Sequence, residues 1–119
     1  MTGKFICVLF VIVIGFAQAW PKRVLLTNDD GIDEKRLQNL AFAFAKVTET
    51  YMVASTVDRS GSGNYMAIGK YQKSLFVMKE HQEKNLVVYA VAGYPADCVA
   101  FAVGGLLKDN PPDLVISGI

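Results

Sequence analysis

Hydrophobic positions in this chain fall into short β-branched runs and staggered faces that alternate along its length. Val24 to Thr27 is a brief apolar run of the kind buried on both faces of a sheet. Asn28 to Asp33 is a polar turn. From Glu34 to Lys46, Leu37, Leu40, Ala41 and Phe44 recur at the spacing of one helix face. Tyr51 to Ala54 predicts a second strand, followed by the polar, Gly-rich loop STVDRSGSGN. Ser74 to Met78 and Leu86 to Val91 predict two strands flanking the charged connector KEHQEKN, as a hairpin or as adjacent extended segments. Gly93-Tyr94-Pro95 opens a helix with Val99, Ala102, Val103 and Leu106 on one face, weakened at Gly104-Gly105. Pro111-Pro112 ends that unit, and DLVISGI predicts a final buried strand.

Strands alternating with amphipathic helices predict parallel βαβ units, so the expected class is α/β, a doubly wound, mainly parallel sheet of the Rossmann-like kind. Ligands of such sheets gather beyond the carboxyl ends of the strands. Asn28 to Asp33, the Ser/Gly loop and Ser117-Gly118 all fall at predicted strand ends.

Composition changes the picture mainly at the amino terminus. The 119 residues are 52% hydrophobic and 19% charged, suited to one small folded domain. Part of that apolar content reads as a targeting segment: Lys4, the unbroken run Phe5 to Phe16, then Ala17-Gln18-Ala19. A positive start, an apolar run short of the ~20 residues a membrane span needs and a small-residue exit predict a secretory signal peptide over 1–19, cleaved before Trp20. The expected product, residues 20–119, is extracytoplasmic. With Lys4 removed, 12 Lys and Arg become 11 against 11 Asp and Glu, a balance that gives no basis for binding a nucleic-acid polymer. Cys7 leaves as well, so Cys98 has no intramolecular disulfide partner; its apolar surroundings predict a buried, inert thiol.

The candidate chemistry starts at Asp29-Asp30. Adjacent side chains in a strand point to opposite faces, but in a turn they can converge, and Gly31 supplies the freedom to bend. Two converging carboxylates call for a proton or a cation between them, a hard divalent ion being the usual one. The alternative is structural: Asp30 or Asp33 caps the following helix and Asp29 faces water. RSGSGN, residues 59 to 64, offers hydroxyl oxygens and flexible backbone N–H groups at a neighbouring strand end, fit for an anion or for completing a metal shell. His81, the one histidine, lies in the charged connector and reads as a solvated residue rather than a general acid.

Four motifs in register carry a family resemblance: LLTNDDGI at 25–32, DRSGSGN at 58–64, GYPADCV at 93–99 and PDLVISGI at 112–119. In order and spacing they resemble the SurE family of survival-protein nucleotidases, over nearly all of the segment that follows residue 19. The resemblance implies a Rossmann-like fold and divalent-metal-dependent hydrolysis of nucleoside monophosphates, with Mg2+ or Mn2+ as cofactor and a homo-oligomer at full length. It implies Asp29 and Asp30 as catalytic residues, Asp29, Asp30 and Ser60 as metal ligands, and Gly61, Ser62, Gly63 and Asn64 beside the phosphate. The family's further ligand, an asparagine, directly follows Ser-Gly-Ile, where this sequence stops, so the expectation for the fragment itself is an incomplete or inactive site. Three departures bear on substrate fit: Gly-Tyr-Pro at 93–95 in place of Gly-Thr-Pro, Lys35-Arg36 in place of Pro-Gly, and Ala67 in place of a frequent threonine.

Two other classes compete. A receiver-type signalling domain also carries an acidic pair after its first strand, but it requires an aspartate at the end of the third, and none occurs between Asp58 and Asp97. A dinucleotide-binding domain would need G-x-G-x-x-G after the first strand, which is absent. A non-catalytic, truncated binding remnant is the remaining alternative.

Overall fold

A computed structural model of the chain describes residues 20–69, 74 and 76–118. The segment expected to be a signal peptide, with its boundary at Ala19, lies outside the described residues.

Five strands form one sheet: β1 (Arg23–Thr27), β2 (Glu49–Ser55), β3 (Val77–Glu83), β4 (Leu86–Val91) and β5 (Leu114–Ser117), in the order β3-β4-β2-β1-β5. The β1·β2, β1·β5 and β2·β4 pairs are parallel and β3·β4 is antiparallel. Helix α1 (Lys35–Ala45) follows β1, and α2 (Pro95–Phe101) follows β4.

Each helix covers a different face of the sheet. Leu37 and Ala41 of α1 pack with Val24, Leu26, Met52, Ala54, Leu86, Val88 and Ala90. Cys98 of α2 packs with Ala102, Leu25, Val53 and Val91. Successive residues of β1 therefore enter opposite cores, and this is why Val24 to Thr27 is apolar or β-branched throughout and does not alternate. The expected doubly wound architecture is the observed one. Leu37 is fully enclosed, so truncating it to alanine removes about 2–5 kcal/mol from one of the two cores.

Three local readings need correction. The charged segment after Met78 is not a connector: Lys79 to Glu83 belong to β3, and the hairpin turns at Lys84-Asn85, with Asn85 at φ 63°. β3 is an edge strand with a register shift between Lys79 and His81, and edge strands tolerate charge because one side faces water. The second helix keeps α-geometry only to Phe101, and Ala102–Leu106 is a π-helical turn closed by Leu107 N–H donating to the Ala102 carbonyl at 2.8 Å. Its buried apolar residues are Cys98 and Ala102, whereas Val103 is exposed. The last strand forms but is not buried: Leu114 and Val115 are 40% and 45% exposed, because β5 stands at the sheet edge while the helices pack over β1, β2 and β4.

Candidate metal and phosphate site

Because β1, β2, β4 and β5 run parallel, the segments after Thr27, Ser55, Val91 and Ser117 all emerge at one edge of the sheet. Cross-links bind these turns to one another. Ile32 N–H donates to the Ser55 carbonyl at 2.8 Å, Thr56 N–H to the Val91 carbonyl at 3.0 Å, and the Ser55 hydroxyl to the Gly93 carbonyl at 2.6 Å. Gly118 N–H donates to the Thr27 carbonyl at 3.1 Å, which draws the Ser117-Gly118 turn to the end of β1.

The turn after β1 is shaped by Asn28, whose buried amide donates to the Gly31 carbonyl and accepts from the Gly31 N–H, both at 3.1 Å. Gly31 has φ 104°, and a Cβ there would sit 3.1 Å from the Val57 backbone, so a side chain at this position would be both strained and crowded. This closed turn delays the helix start. Glu34 is the N-cap of α1, accepting from Arg36 N–H at 3.2 Å, and neither Asp30 nor Asp33 takes the capping role. Both acids of the pair are thereby left to the edge.

The loop after β2 meets them there. Arg59 N–H donates to the Asp29 carbonyl at 2.7 Å, joining the two turns through the backbone. The Ser60 hydroxyl lies 2.8 Å from Asp30 Oδ1 and 2.6 Å from Asp58 Oδ1, and Ser60 N–H donates to the same Asp58 oxygen at 2.8 Å. A serine hydroxyl has one hydrogen, so it can donate to only one of those carboxylates; toward the other it presents a lone pair. Donation from Ser60 holds the Asp58 carboxyl below its ordinary range. The Asp29 carboxylate is exposed, with no hydrogen bond or ion pair among the described residues. Asp30 Oδ2 lies 3.6 Å from the Arg36 guanidinium, whose Nε donates to Glu34 at 2.8 Å.

Downstream, Ser62 N–H donates to the Arg59 carbonyl at 3.1 Å and Tyr65 N–H to the Ser62 carbonyl at 3.2 Å, while Gly61 and Gly63 take φ 82° and 57°. These tight turns leave the N–H groups of Gly61, Gly63 and Asn64 without acceptors among the described residues, and the three residues are exposed. The Ser62 hydroxyl is enclosed and also has no partner among the described residues.

Two further features hold this loop, and neither was assigned a role from sequence. Asp97 is fully buried, and its carboxylate accepts from Ala67 N–H at 3.1 Å, Ile68 N–H at 3.1 Å and Tyr94 N–H at 2.9 Å, fastening the end of the loop to the start of α2. The Arg59 guanidinium lies 4.5 Å over the Tyr94 ring, and Tyr65 meets that ring edge-on with centroids 4.4 Å apart. Asp97 had a readable signal, the Asp three places into a helix that Pro95 begins. Asp58 had the Asp-x-Ser spacing of a side-chain turn.

Asp30 and Ser60 are thus in contact, Asp29 is joined to the Ser60 loop through its carbonyl, and Gly61 to Asn64 lie open beside them. Among the described residues no three His, Cys, Asp or Glu side chains converge at metal-ligand spacing, so this cluster offers carboxylates plus a hydroxyl. A cavity of about 380 Å3 lies elsewhere, on the α1 face, lined by Ile32, Ala41, Phe42, Met52, Met78 and Val88 among others.

Comparison with known proteins agrees with the motif pattern. The family model described as Survival protein SurE matches residues 24–119. The chain is 41% identical over 102 residues to 5'-nucleotidase SurE of Vibrio vulnificus strain YJ016, covering 86% of this chain and 37% of that protein. It is 41% identical over 100 residues to 5'-nucleotidase SurE of Chlamydia muridarum, covering 82% of this chain and 34% of that protein. The crystal structure of SurE protein from Aquifex aeolicus superposes with a TM-score of 0.65 at 30% identity, over 82% of this chain and 37% of that one. The chain thus spans little more than a third of the curated relatives it matches. With a family model across residues 24–119 and the same fold in a solved relative, this chain belongs to the SurE family.

Proposed function

We propose that this chain carries the metal- and phosphate-handling part of a phosphomonoesterase acting on nucleoside monophosphates. The observation that supports this most is the Ser60 hydroxyl, which has two carboxylate oxygens within 2.8 Å and one hydrogen to give. Such a cluster is relieved by a cation, and an all-oxygen donor set suits Mg2+ or Mn2+.

Asp29, Asp30 and Ser60 would hold that ion, with Asp58 fixing the serine through its hydroxyl and its N–H. When bound, it would supply charge neutralisation at the phosphoryl oxygens and acidify water. The chain's own groups do the rest. Gly61, Gly63 and Asn64 present N–H groups to phosphate oxygens whose charge grows as the ester bond breaks. Cross-links from Ser55 and Ile32 keep the two turns at fixed separation, so these donors are oriented before substrate arrives. On the same reading residues 1–19 direct export, the enzyme works outside the cytoplasm, and the full-length protein assembles as a homo-oligomer.

The test is calorimetric titration of the chain with MnCl2, beside phosphate release from nucleoside monophosphates by the full-length gene product. Wild type should bind Mn2+, and Asp30→Asn should weaken that binding at least about tenfold and abolish turnover, since a liganding carboxylate is lost. Undiminished turnover in Asp29→Asn or Asp30→Asn would remove the metal assignment.

A further inference from the structure

Helix α1 roofs only part of its face of the sheet. It lies over β1 and β2 and reaches β4 at its margin, so the β3-β4 hairpin extends past it. The gap between helix and hairpin is the cavity of about 380 Å3. Its floor is carbon: Met52, Leu86, Val88 and Ala90 belong to one buried cluster and are no more than 7% exposed. Ala41 and Phe42 of α1 form one side, and Ile32 with Thr56 close the end at the carboxyl edge of the sheet. Phe42 and Met78 are 49% and 46% exposed, so the apolar lining continues to the opening. A volume of this size falls within the range of small-molecule sites. Water held against such a floor finds few of the two to four polar partners it needs, and an apolar molecule displaces it readily.

The formal charge around this cavity is acidic. Asp33, from the turn after β1, and Glu80, from β3, line it, and among the described residues no lysine or arginine does. Neither carboxylate has an ion pair among the described residues. The register shift in β3 produces this arrangement. Lys79 pairs with Tyr89 and His81 with Val88, so Glu80 is the extra residue, and Glu80 and His81 both border the cavity. Lys79, the one lysine of β3, shares the opposite face with Gln82, whose amide oxygen accepts from its ammonium group. An apolar floor with carboxylates at its edge complements a molecule built the opposite way, with a hydrocarbon or aryl body that ends in a cation.

We propose that the cavity between α1 and the β3-β4 hairpin is a binding site for amphiphilic cations, small primary amines with an apolar body, whose ammonium group meets Asp33 and Glu80 while the body lies on Val88 and Ala90. Asp29, Asp30 and Ser60 do not line this cavity, so the proposal stands apart from the phosphomonoesterase reading. The two places nonetheless share one turn: Asn28 to Asp33 gives Asp30 to the contact with Ser60 and gives Ile32 and Asp33 to the cavity.

The experiment is titration of the whole chain at pH 8 with hexylammonium chloride, 1-hexanol and sodium hexanoate, followed by amide chemical shifts. Hexylammonium should bind with its largest shifts at Ala41, Phe42, Val88 and Ala90, at least about threefold tighter than hexanol, the scale of two exposed ion pairs. Hexanoate should bind more weakly than hexanol. Propylammonium should bind at least about tenfold more weakly than hexylammonium, since each buried methylene contributes up to about fourfold. The double variant Asp33→Asn, Glu80→Gln, altered only at exposed side chains, should bring hexylammonium to within about twofold of hexanol. Equal affinities for the three head groups in wild type, an affinity indifferent to chain length, or an ammonium preference that survives the double variant would each overturn the proposal. So would shifts that are absent from the four named residues, or a preference lost in Asp30→Asn, which would put the ammonium in the acidic cluster instead.

Discussion

Replacing Asp97 should loosen the Ser/Gly loop before it unfolds the sheet, and the structure allows the two effects to be separated. One carboxylate accepts three backbone N–H groups, from Ala67 and Tyr94 on Oδ2 and from Ile68 on Oδ1. Asp97→Ala removes all three acceptors. A buried donor left without a partner costs about 1–3 kcal/mol. Ala67 is 5% exposed and its N–H has no route to water, whereas Ile68 and Tyr94 are half-buried and recover part of theirs. The expected loss is about 3–5 kcal/mol, a large share of the roughly 5–15 kcal/mol that holds a domain together. Asp97→Asn is milder and more informative. With its amide oxygen in the Oδ2 position it keeps Ala67 and Tyr94, but its NH2 then faces the Ile68 donor, so that tie alone is broken, for about 1–3 kcal/mol. Urea unfolding followed by circular dichroism, at about 1–3 kcal/mol per M, should show the alanine midpoint lowered by about 1 M or more. Amide hydrogen exchange should show Ile68 selectively deprotected in the asparagine variant. An alanine variant within about 0.5 kcal/mol of wild type, where ordinary surface changes fall, would refute the reasoning; so would unchanged Ile68 exchange in Asp97→Asn.

Two more predictions concern charge. Arg36 is an exposed competitor for Asp30, 3.6 Å from Oδ2, so Arg36→Ala should tighten Mn2+ binding by about 1.5- to 5-fold at low salt, the scale of an exposed ion pair, and the gain should shrink in 0.5 M NaCl. Titration at the two salt concentrations checks this, and an unchanged or weaker affinity would count against any competition. Cys98 is fully enclosed, and burial pushes its thiol up from the ordinary 9.0 to about 12. The unfolded thiol ionises first, so this contribution to stability is whole below about pH 9 and is lost as pH rises toward about 12. Iodoacetamide should leave native Cys98 unlabelled at pH 8 and label it in urea; comparable rates in both states would refute the burial argument.

Much of the fold was legible because its signals are local. Three apolar runs and one staggered helix face sufficed for β1, β2, β4 and α1, since each is buried from both sides or packed along one stripe. β3 was displaced because Lys79 to Glu83 carry the composition of a loop, and only pairing with β4 makes them a strand. β5 was placed correctly but its burial was not, because an apolar run looks the same whether or not a helix covers it. In the site, Asp30 and Ser60 were legible as residue types at strand ends, and the fold puts the two side chains 2.8 Å apart. Asp58 and Asp97 were passed over for the reason that makes them useful: each acts on backbone N–H groups of a turn, a role set by the course of the chain and invisible in side-chain patterning.

The parallel pairing of β1 with β2 also sets a time order. Among the described strands only β3 and β4 are joined by a tight turn, at Lys84-Asn85, so the hairpin can close on its own within microseconds. Every other pairing must wait for a helix or a long loop to be folded back, and such distant closures are slow. Asp30 and Ser60 are brought together by the β1·β2 closure, so the acidic cluster has no existence in the early, hairpin-only chain. A cation that binds it acts only after that closure, and its presence will be felt in the unfolding rate far more than in the rate at which the hairpin forms.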